Sequence, residues 1–361
     1  MRAALAACVA VHLATSEAPP LLPSLAPDAL ARVHAVDAWL DGVDAHPAHW
    51  EVTSKHDLPG RWKKLGAGNS KEVSAASYGA AKVVVKTKIA STRGAADALK
   101  RERDLRGELL YLEFLAGAPG IPKLYGGWLS DGGQRVTYVV QNAGEVLGTG
   151  TGKVARPAKP TKYWSSLCRN EPLAATRALL ECFRSFSELG GYFLDDFSPH
   201  QFTVKSRAVY LVDGPLALTG AMRNVSLAEH LPAYLYGRGK ASAGPCASDA
   251  DCSHTSTYHC CCQPKKSGDK CERGNEGAPE AKGRCLKTKP TRTCAPISTK
   301  THVFDVAAKA WALPYVVKEG GKKLTPAAKR GLQRLIGAMK SKEPEARPNF
   351  TEALLSLDNL G

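Results

Sequence analysis

With 361 residues, 43% of them hydrophobic, the chain is long enough to bury a real core and to form more than one lobe. Lysine and arginine number 49 against 34 acidic residues, a net charge of +15; this favours anionic partners, although a merely solvated basic surface gives the same count. The basic residues are not interleaved with aromatics, so no nucleic-acid partner is expected, and no stretch beyond the N-terminus is apolar enough for a transmembrane segment.

The chain opens with Met1-Arg2, an apolar run from Ala3 to Ala14 broken by His12, and Ser16-Glu17-Ala18 before Pro19-Pro20. That is a signal-peptide pattern over residues 1–18, too short to span a bilayer. It predicts export into the secretory pathway, to the endoplasmic reticulum or Golgi lumen or outside the cell. Residues 19–58 are rich in Pro, Ala and His and carry one helical stretch near Ala29 to Leu40; they read as an N-terminal extension. Leu65-Gly66-Ala67-Gly68-Asn69 then predicts a glycine-rich turn, and Val73 to Lys88 two short strands around Tyr78-Gly79. Leu105, Leu109, Leu112 and Leu115 line one face of a helix over 95–116, which Gly117-Ala118-Pro119-Gly120 ends. A hairpin follows, from Lys123 to Leu129 and from Arg135 to Gln141.

Residues 148–162 are Gly, Pro and Lys and suggest a linker. Asn170 is a plausible N-cap for a helix running to Leu189, stopped by Gly190-Gly191. Two short strands come next, Phe202 to Val204 and Val209 to Val212. Thr325-Pro326 opens a later helix, and a last one covers Phe350 to Leu357. Strands dominate residues 60–144 and helices dominate afterwards. The expected class is therefore α+β, with a sheet-based small lobe over 59–144 and a helical large lobe over 145–361.

Eight of the 11 cysteines lie between Cys246 and Cys294, within a Lys- and Gly-rich insertion over 241–298 that has too few apolar residues for a core of its own. Zinc is the weaker reading, kept open by His254 and His259, because no clean pair of C-x-x-C knuckles is present. Disulfides are the stronger one. Cleavage of the leader would remove Cys8 and leave ten cysteines, an even number that fits full pairing. Glycosylation sequons begin at Asn224 and Asn349, the second expected to be too buried to modify.

Several residues carry candidate chemistry. Gly66-x-Gly68 between strands lets backbone N–H groups approach phosphate oxygens, although glycine pairs in hairpins are common without any such role. Lys86 ends the run Val83-Val84-Val85 and can hold a nucleotide's phosphates as a point charge. Lys82 and Lys88 share its face by alternation; Lys86 is preferred because it follows the apolar run directly. Glu108 falls inside the apolar stripe of its helix, where an acid needs a partner, and Lys86 is a natural one; a stripe-edge glutamate reaching solvent is the weaker alternative. Asp196, in Leu194-Asp195-Asp196-Phe197-Ser198-Pro199-His200-Gln201, and Asp213, at the end of Val209-Tyr210-Leu211-Val212, can face one cleft. One can accept a proton from a hydroxyl while the other binds Mg²⁺, with Gln201 adding an amide oxygen.

The order glycine loop, lysine, helix glutamate, Asp-x4-amide and Asp-Gly resembles protein kinases. Gly68-Asn69-Ser70-Lys71-Glu72-Val73, Leu124-Tyr125-Gly126-Gly127-Trp128, Asp196-Phe197-Ser198-Pro199 and a cysteine-rich segment before Thr301-His302-Val303-Phe304-Asp305 resemble the divergent secretory-pathway kinase-like family, the DIPK group, kin of the deleted-in-autism protein. The likeness spans roughly residues 60–358. It implies a two-lobed protein-kinase-like fold and an ATP-dependent phosphotransferase with Mg²⁺ or Mn²⁺ as metal. The acceptor would be a protein or glycan, an acidic one included. Gly66 and Gly68 would cover the phosphates, Lys86 would contact them and pair with Glu108, Asp196 would be the catalytic base, and Asp213 and Gln201 would hold the metal. Asp305 would support the catalytic loop, and Arg347-Pro348 would be structural. The sequence departs from the kinase pattern at Lys71, where a third loop glycine is usual, at Leu194-Asp195 for His-Arg, at Ser198 for lysine, at Gln201 for asparagine and at Gly214-Pro215 for Phe-Gly. Those departures keep open a second expectation, a catalytically weak or inactive kinase-like binding or scaffold protein.

Overall fold

The computed structural model describes residues 28–42, 45–67, 71–89, 95–130, 135–149, 159–189, 192–193, 198–213, 217–218, 285–287, 292–294, 299–341 and 346–360. The class is α+β: an N-terminal five-stranded antiparallel sheet and a largely helical C-terminal region. The sheet runs β1 (Lys63–Ala67), β2 (Lys71–Tyr78), β3 (Ala81–Lys88), β5 (Arg135–Gln141), β4 (Leu124–Ser130) in spatial order. Alternation along the strands gives it two buried faces. Val83, Val85 and Val139 pack with Val52, Leu58 and Ala76 on one side. Val136, Tyr138 and Val140 join the main core with α2 (Ala95–Phe114) on the other.

The N-terminal extension is part of this body. Helix α1 (Ala29–Leu40) packs on α2, and Arg106 of α2 donates to Asp37 and Asp41 at 2.6 Å each. Glu113, also on α2 and only 3% exposed, accepts from Trp50 Nε1 at 2.7 Å and pairs with His49 Nε2 at 3.0 Å. Val52 then bridges Gly126 of β4. Gly126 has φ +136°, and a Cβ there would sit 2.1 Å from the Val52 carbonyl, so only glycine allows the approach.

The helical region centres on α3 (Lys162–Asn170), α4 (Pro172–Phe183), α5 (Thr299–Ala308), α6 (Leu313–Gly320), α7 (Pro326–Met339) and α8 (Phe350–Asp358). Phe183, Phe186, Phe202, Phe304 and Phe350 are buried among them. Two expectations are corrected here. Asn170 does not open a helix: it is the last residue of α3, whose cap is Thr161, and α4 starts at Pro172, where proline's fixed φ suits a first turn. The stretch read as a linker therefore ends in ordered structure, with Gly148–Thr149 paired to Lys159–Pro160 before α3. Beyond α4 the chain winds as a π-turn over Arg184–Leu189, and Glu188 in it accepts the backbone N–H groups of Phe350 and Thr351 at the start of α8. Asn349 caps α8 with its own side-chain oxygen and is half-buried.

Residues 1–18 lie outside the described residues, as does the insertion apart from the backbones of Cys285–Lys287 and Arg292–Cys294, which pair antiparallel. The even count of ten cysteines does not mean full pairing: Cys168 and Cys182 are buried free thiols on α3 and α4, and burial pushes both thiol pKa values well up. With disulfides intact, both should resist alkylation in the native protein at mildly alkaline pH and label fully in denaturant. Peptide mapping checks this, and native-state labelling of either would contradict their burial.

The turn after α2 joins the two regions. Gly120 takes φ +78° with its carbonyl accepting from Leu211 N–H at 3.0 Å, and a Cβ there would lie 2.7 Å from the Cα of Cys182. Gly120→Ala should therefore cost about 2–4 kcal/mol, from the left-handed backbone and the clash together. Urea unfolding measures it; a loss below about 0.5 kcal/mol, the range of ordinary surface substitutions, would show that the turn can relax.

Candidate functional site

The register of the sheet assembles the site. Gly66 of β1 pairs with Val73 of β2, Val73 with Lys86 of β3, and Lys86 with Tyr138 of β5. Neighbouring strands lie about 4.8 Å apart, which puts Gly66 roughly 10 Å from Lys86 along one row. Gly66 lies within β1 rather than in a turn, since the ladder continues to Ala67; a Cβ at Gly66 would meet open space. Gly68 and Asp196 lie outside the described residues.

Four charges meet beside this row. Lys86 Nζ donates to Glu108 Oε1 at 2.6 Å and also to the Val212 carbonyl, and it stands 5.8 Å from the centroid of the Tyr138 ring. Glu108 projects from α2 and is 2% exposed. Its second oxygen accepts from Lys71 Nζ, which also donates to Asp213 Oδ1 at 2.8 Å. The lysine–glutamate pair expected from sequence is thus present; of its two rivals, Lys82 is exposed and reaches Ser77 Oγ at 3.4 Å, while Lys88, at the end of β3, pairs in register with Lys71.

Lys71 is the member that sequence reasoning missed. The signal was available in the hairpin. A two-residue turn at Gly79-Ala80 pairs Tyr78 with Ala81 and, counting outward, Val73 with Lys86 and Lys71 with Lys88. Opposed residues share a face, so Lys71 is the diagonal neighbour of Lys86, within reach of a common partner.

The charges tune one another. Burial alone would raise the Glu108 carboxyl, but Lys71 and then Lys86 outweigh it and hold the pKa below the usual range. Burial opposes charge on Lys71 as well, and Asp213 and Glu108 overcome it, holding the ammonium well above an ordinary lysine. Asp213 follows the same pattern: burial against it would raise the carboxyl, and Lys71 and Lys86 lower it on balance. Its side chain is 53% exposed, so solvent screens part of that attraction. For Tyr138, burial and the nearby Glu108 push the phenol well above its ordinary value.

The other expected members are placed as follows. Gln201 ends a 3-10 turn (Pro199–Gln201) and is buried; its carbonyl accepts from Val212 N–H at 2.9 Å, so its backbone adjoins the segment that carries Asp213. Asp305 is buried on α5. Arg347 is 1% exposed, donates to the Ser341 and Lys300 carbonyls at 2.8 and 3.0 Å, and lies 4.8 Å over the Phe304 ring, a clamp within the helical region. Among the described residues no three His, Cys, Asp or Glu side chains converge as a metal site, and no helix is long and apolar enough to cross a membrane. A cavity of about 620 Å³ lies away from the four charges, lined by Glu113, Gly120, Val209 and Tyr210 among others. Neither any protein-family model nor any curated protein matches the chain.

The pKa directions fix a pH profile. The depressed carboxyl of Glu108 adds stability that is fully present above its ordinary 4.5 and is lost as pH falls through its lower folded value. The raised Lys71 adds stability that is present below its ordinary 10.5 and is lost as pH rises through its folded value. Glu108→Gln should lower stability at neutral pH by about 3 kcal/mol, because two buried ammonium groups lose their counter-charge. It should also flatten the loss of stability below pH 4.5. Urea midpoints across the acid range read both, and an acid limb as steep as in the wild type would contradict the depressed carboxyl.

Proposed function

We propose that the chain is a divergent protein-kinase-like phosphotransferase, with a small lobe over residues 59–144 and a large lobe over 145–361. The observation that carries this reading is the placement of Lys86. A strand lysine is held by a buried helix glutamate on one side and by the Val212 carbonyl, next to Asp213, on the other. That arrangement gives a cation a fixed direction and puts it beside a solvent-facing carboxylate, which is what positioning a nucleotide's phosphates requires. Gly66, one strand beyond Val73, has open space above it.

The donor set fits ATP and a divalent metal. Mg²⁺ is commonly held by one or two carboxylates together with phosphate oxygens, rather than by an all-protein cage. Asp213 supplies such a carboxylate, and the resemblance adds the amide oxygen of Gln201. When bound, the nucleotide supplies the phosphoryl group and the metal offsets its charge. The chain's own residues do the rest: Lys86 offers N–H donors to phosphate oxygen, Glu108 holds Lys86 in place, and Asp196 accepts the proton of the acceptor hydroxyl. The signal-peptide pattern and the cysteine cluster favour the secretory pathway, and the excess of basic residues favours protein or glycan acceptors that carry negative charge.

A second reading, a kinase-like protein that binds without efficient transfer, is favoured by one specific contact. Lys71 occupies Asp213 Oδ1, one of the two carboxylate oxygens on offer to the metal.

The test is a thermal-shift titration of the disulfide-intact protein with ATP and Mg²⁺ or Mn²⁺, followed by γ-phosphate transfer to protein and glycan mixtures. Nucleotide should stabilise the wild type. Lys86→Met should weaken binding by roughly tenfold or more, the loss of one charge-assisted contact, and Lys82→Met should change it little. Asp196→Asn should keep binding and lose transfer. Binding without transfer across broad panels would favour the second reading, and no binding with any metal would overturn the nucleotide site.

A further inference from the structure

Lys71 holds a position that the proposed chemistry does not use. It begins β2 and shares a face with Lys86 through the register of the hairpin. Its side chain is 14% exposed and spans two acids, touching Glu108 Oε2 and lying 2.8 Å from Asp213 Oδ1. Glu108 is already partnered on its other oxygen by Lys86. The second ammonium is thus additional to the pair that orients Lys86, and what it neutralises beyond that pair is Asp213.

We propose that Lys71 is a built-in cation that shares Asp213 with the divalent metal, so that the site accepts a nucleoside triphosphate without metal, and a metal competes with Lys71 for Asp213, gaining Oδ1 only by displacing it. The inference rests on the nucleotide reading above and deepens it.

The charge count supports it. Two ammonium groups and two carboxylates sum to zero, so the cluster is balanced with no metal. A divalent ion on Asp213 Oδ1 would share that oxygen with the Lys71 ammonium and meet like-charge repulsion, partly screened by solvent at the half-exposed carboxylate. One of the two must therefore leave that oxygen. Lys71 can leave without becoming stranded, because its other contact, with Glu108, remains. An ammonium has three donors. Those of Lys71 are directed to Glu108 and Asp213, which leaves a third N–H for a phosphate oxygen even before any exchange.

The experiment measures ATP affinity by titration calorimetry on the disulfide-intact protein, once in EDTA and once in excess Mg²⁺, for the wild type, Lys71→Met and Asp213→Asn. Circular dichroism checks folding. In the wild type the two affinities should lie within about tenfold of each other, because Lys71 already does part of the metal's work. Lys71→Met should lose tenfold or more in EDTA and much less in Mg²⁺, since the metal then meets no rival at Asp213. Asp213→Asn should do the opposite. It removes one negative charge and frees Lys71, so binding in EDTA should hold or tighten while the benefit of Mg²⁺ disappears. This variant changes a half-exposed side chain and leaves the buried pair intact, so it decides the matter even if Lys71→Met fails to fold. Equal losses in both conditions for Lys71→Met, or weaker EDTA binding in Asp213→Asn, would overturn the role of Lys71 and leave the nucleotide site standing. A wild type that binds ATP in neither condition overturns the nucleotide reading and this inference with it.

Discussion

A carboxylate inside a protein is costly unless it is paired and hydrogen-bonded, and Glu108, at 2% exposure, is the carboxylate on which this arrangement turns. Its two oxygens are met by lysines from adjacent strands of one hairpin, Lys86 on β3 and Lys71 on β2. Satisfying both fixes more than charge. The hairpin must be in register, and α2 must present Glu108 at the right height over the sheet. A slip of one residue between β2 and β3 would put the two lysines on opposite faces. A buried ion cluster of this kind is seldom more stable than well-packed apolar side chains of the same volume. The value of Glu108 therefore lies in where it holds the two ammonium groups.

The position of α2 is set from its far side by the N-terminal extension. Glu113 stands five residues after Glu108 and is also buried, with its partners Trp50 and His49 coming from the extension. Arg106 ties the same helix to Asp37 and Asp41 of α1. Beyond its C-terminal end, α2 leads into Gly120, whose carbonyl receives Leu211 N–H, and Tyr111 reaches the Leu211 carbonyl at 3.5 Å. Two residues later the chain reaches Asp213. A shift of α2 would therefore move the acid that anchors the lysines and disturb the support of the acid that faces solvent. The N-terminal extension is thus part of what positions α2 and the four charges.

Patterns whose cause is local were legible in the sequence. The stripe of Leu105, Leu109 and Leu112 located α2, and the break in that stripe singled out Glu108. The valine run of β3 singled out Lys86, whose choice over Lys82 follows physically from Val84 and Lys86 facing α2 near the middle of the sheet while Lys82 lies at its solvent end. What failed was local evidence overruled by distant packing. Asn170 has the chemistry of a cap, yet Trp164 and Leu167 pull the preceding turn into the core, and the helix that they form takes Asn170 as its last residue. Gly66 looked like a turn, yet pairing with β2 continues one residue past it. Glu113 carries no signal at all, because its partners lie more than sixty residues away in sequence. The readings of Gly68 and Asp196 come from the sequence alone, since both lie outside the described residues.

Lys71 joins these two lines of argument. Compared with a glycine loop it is a departure, a long charged side chain where a small residue is usual. Compared with the hairpin register it is the diagonal partner of Lys86, and the loop simply ends early enough for β2 to begin with it. Its presence changes the electrostatics of the four-charge cluster. With Lys86 alone, Glu108 and Asp213 would leave one net negative charge, which would oppose an incoming polyphosphate. With Lys71 added the balance is zero, and Asp213 is neutralised by a side chain that cannot diffuse away. On the proposed nucleotide reading, a site of that composition would need metal for alignment and reactivity more than for charge. Binding and transfer can then depend on metal to different degrees, which is also the property separating an active phosphotransferase from a protein that only holds its nucleotide.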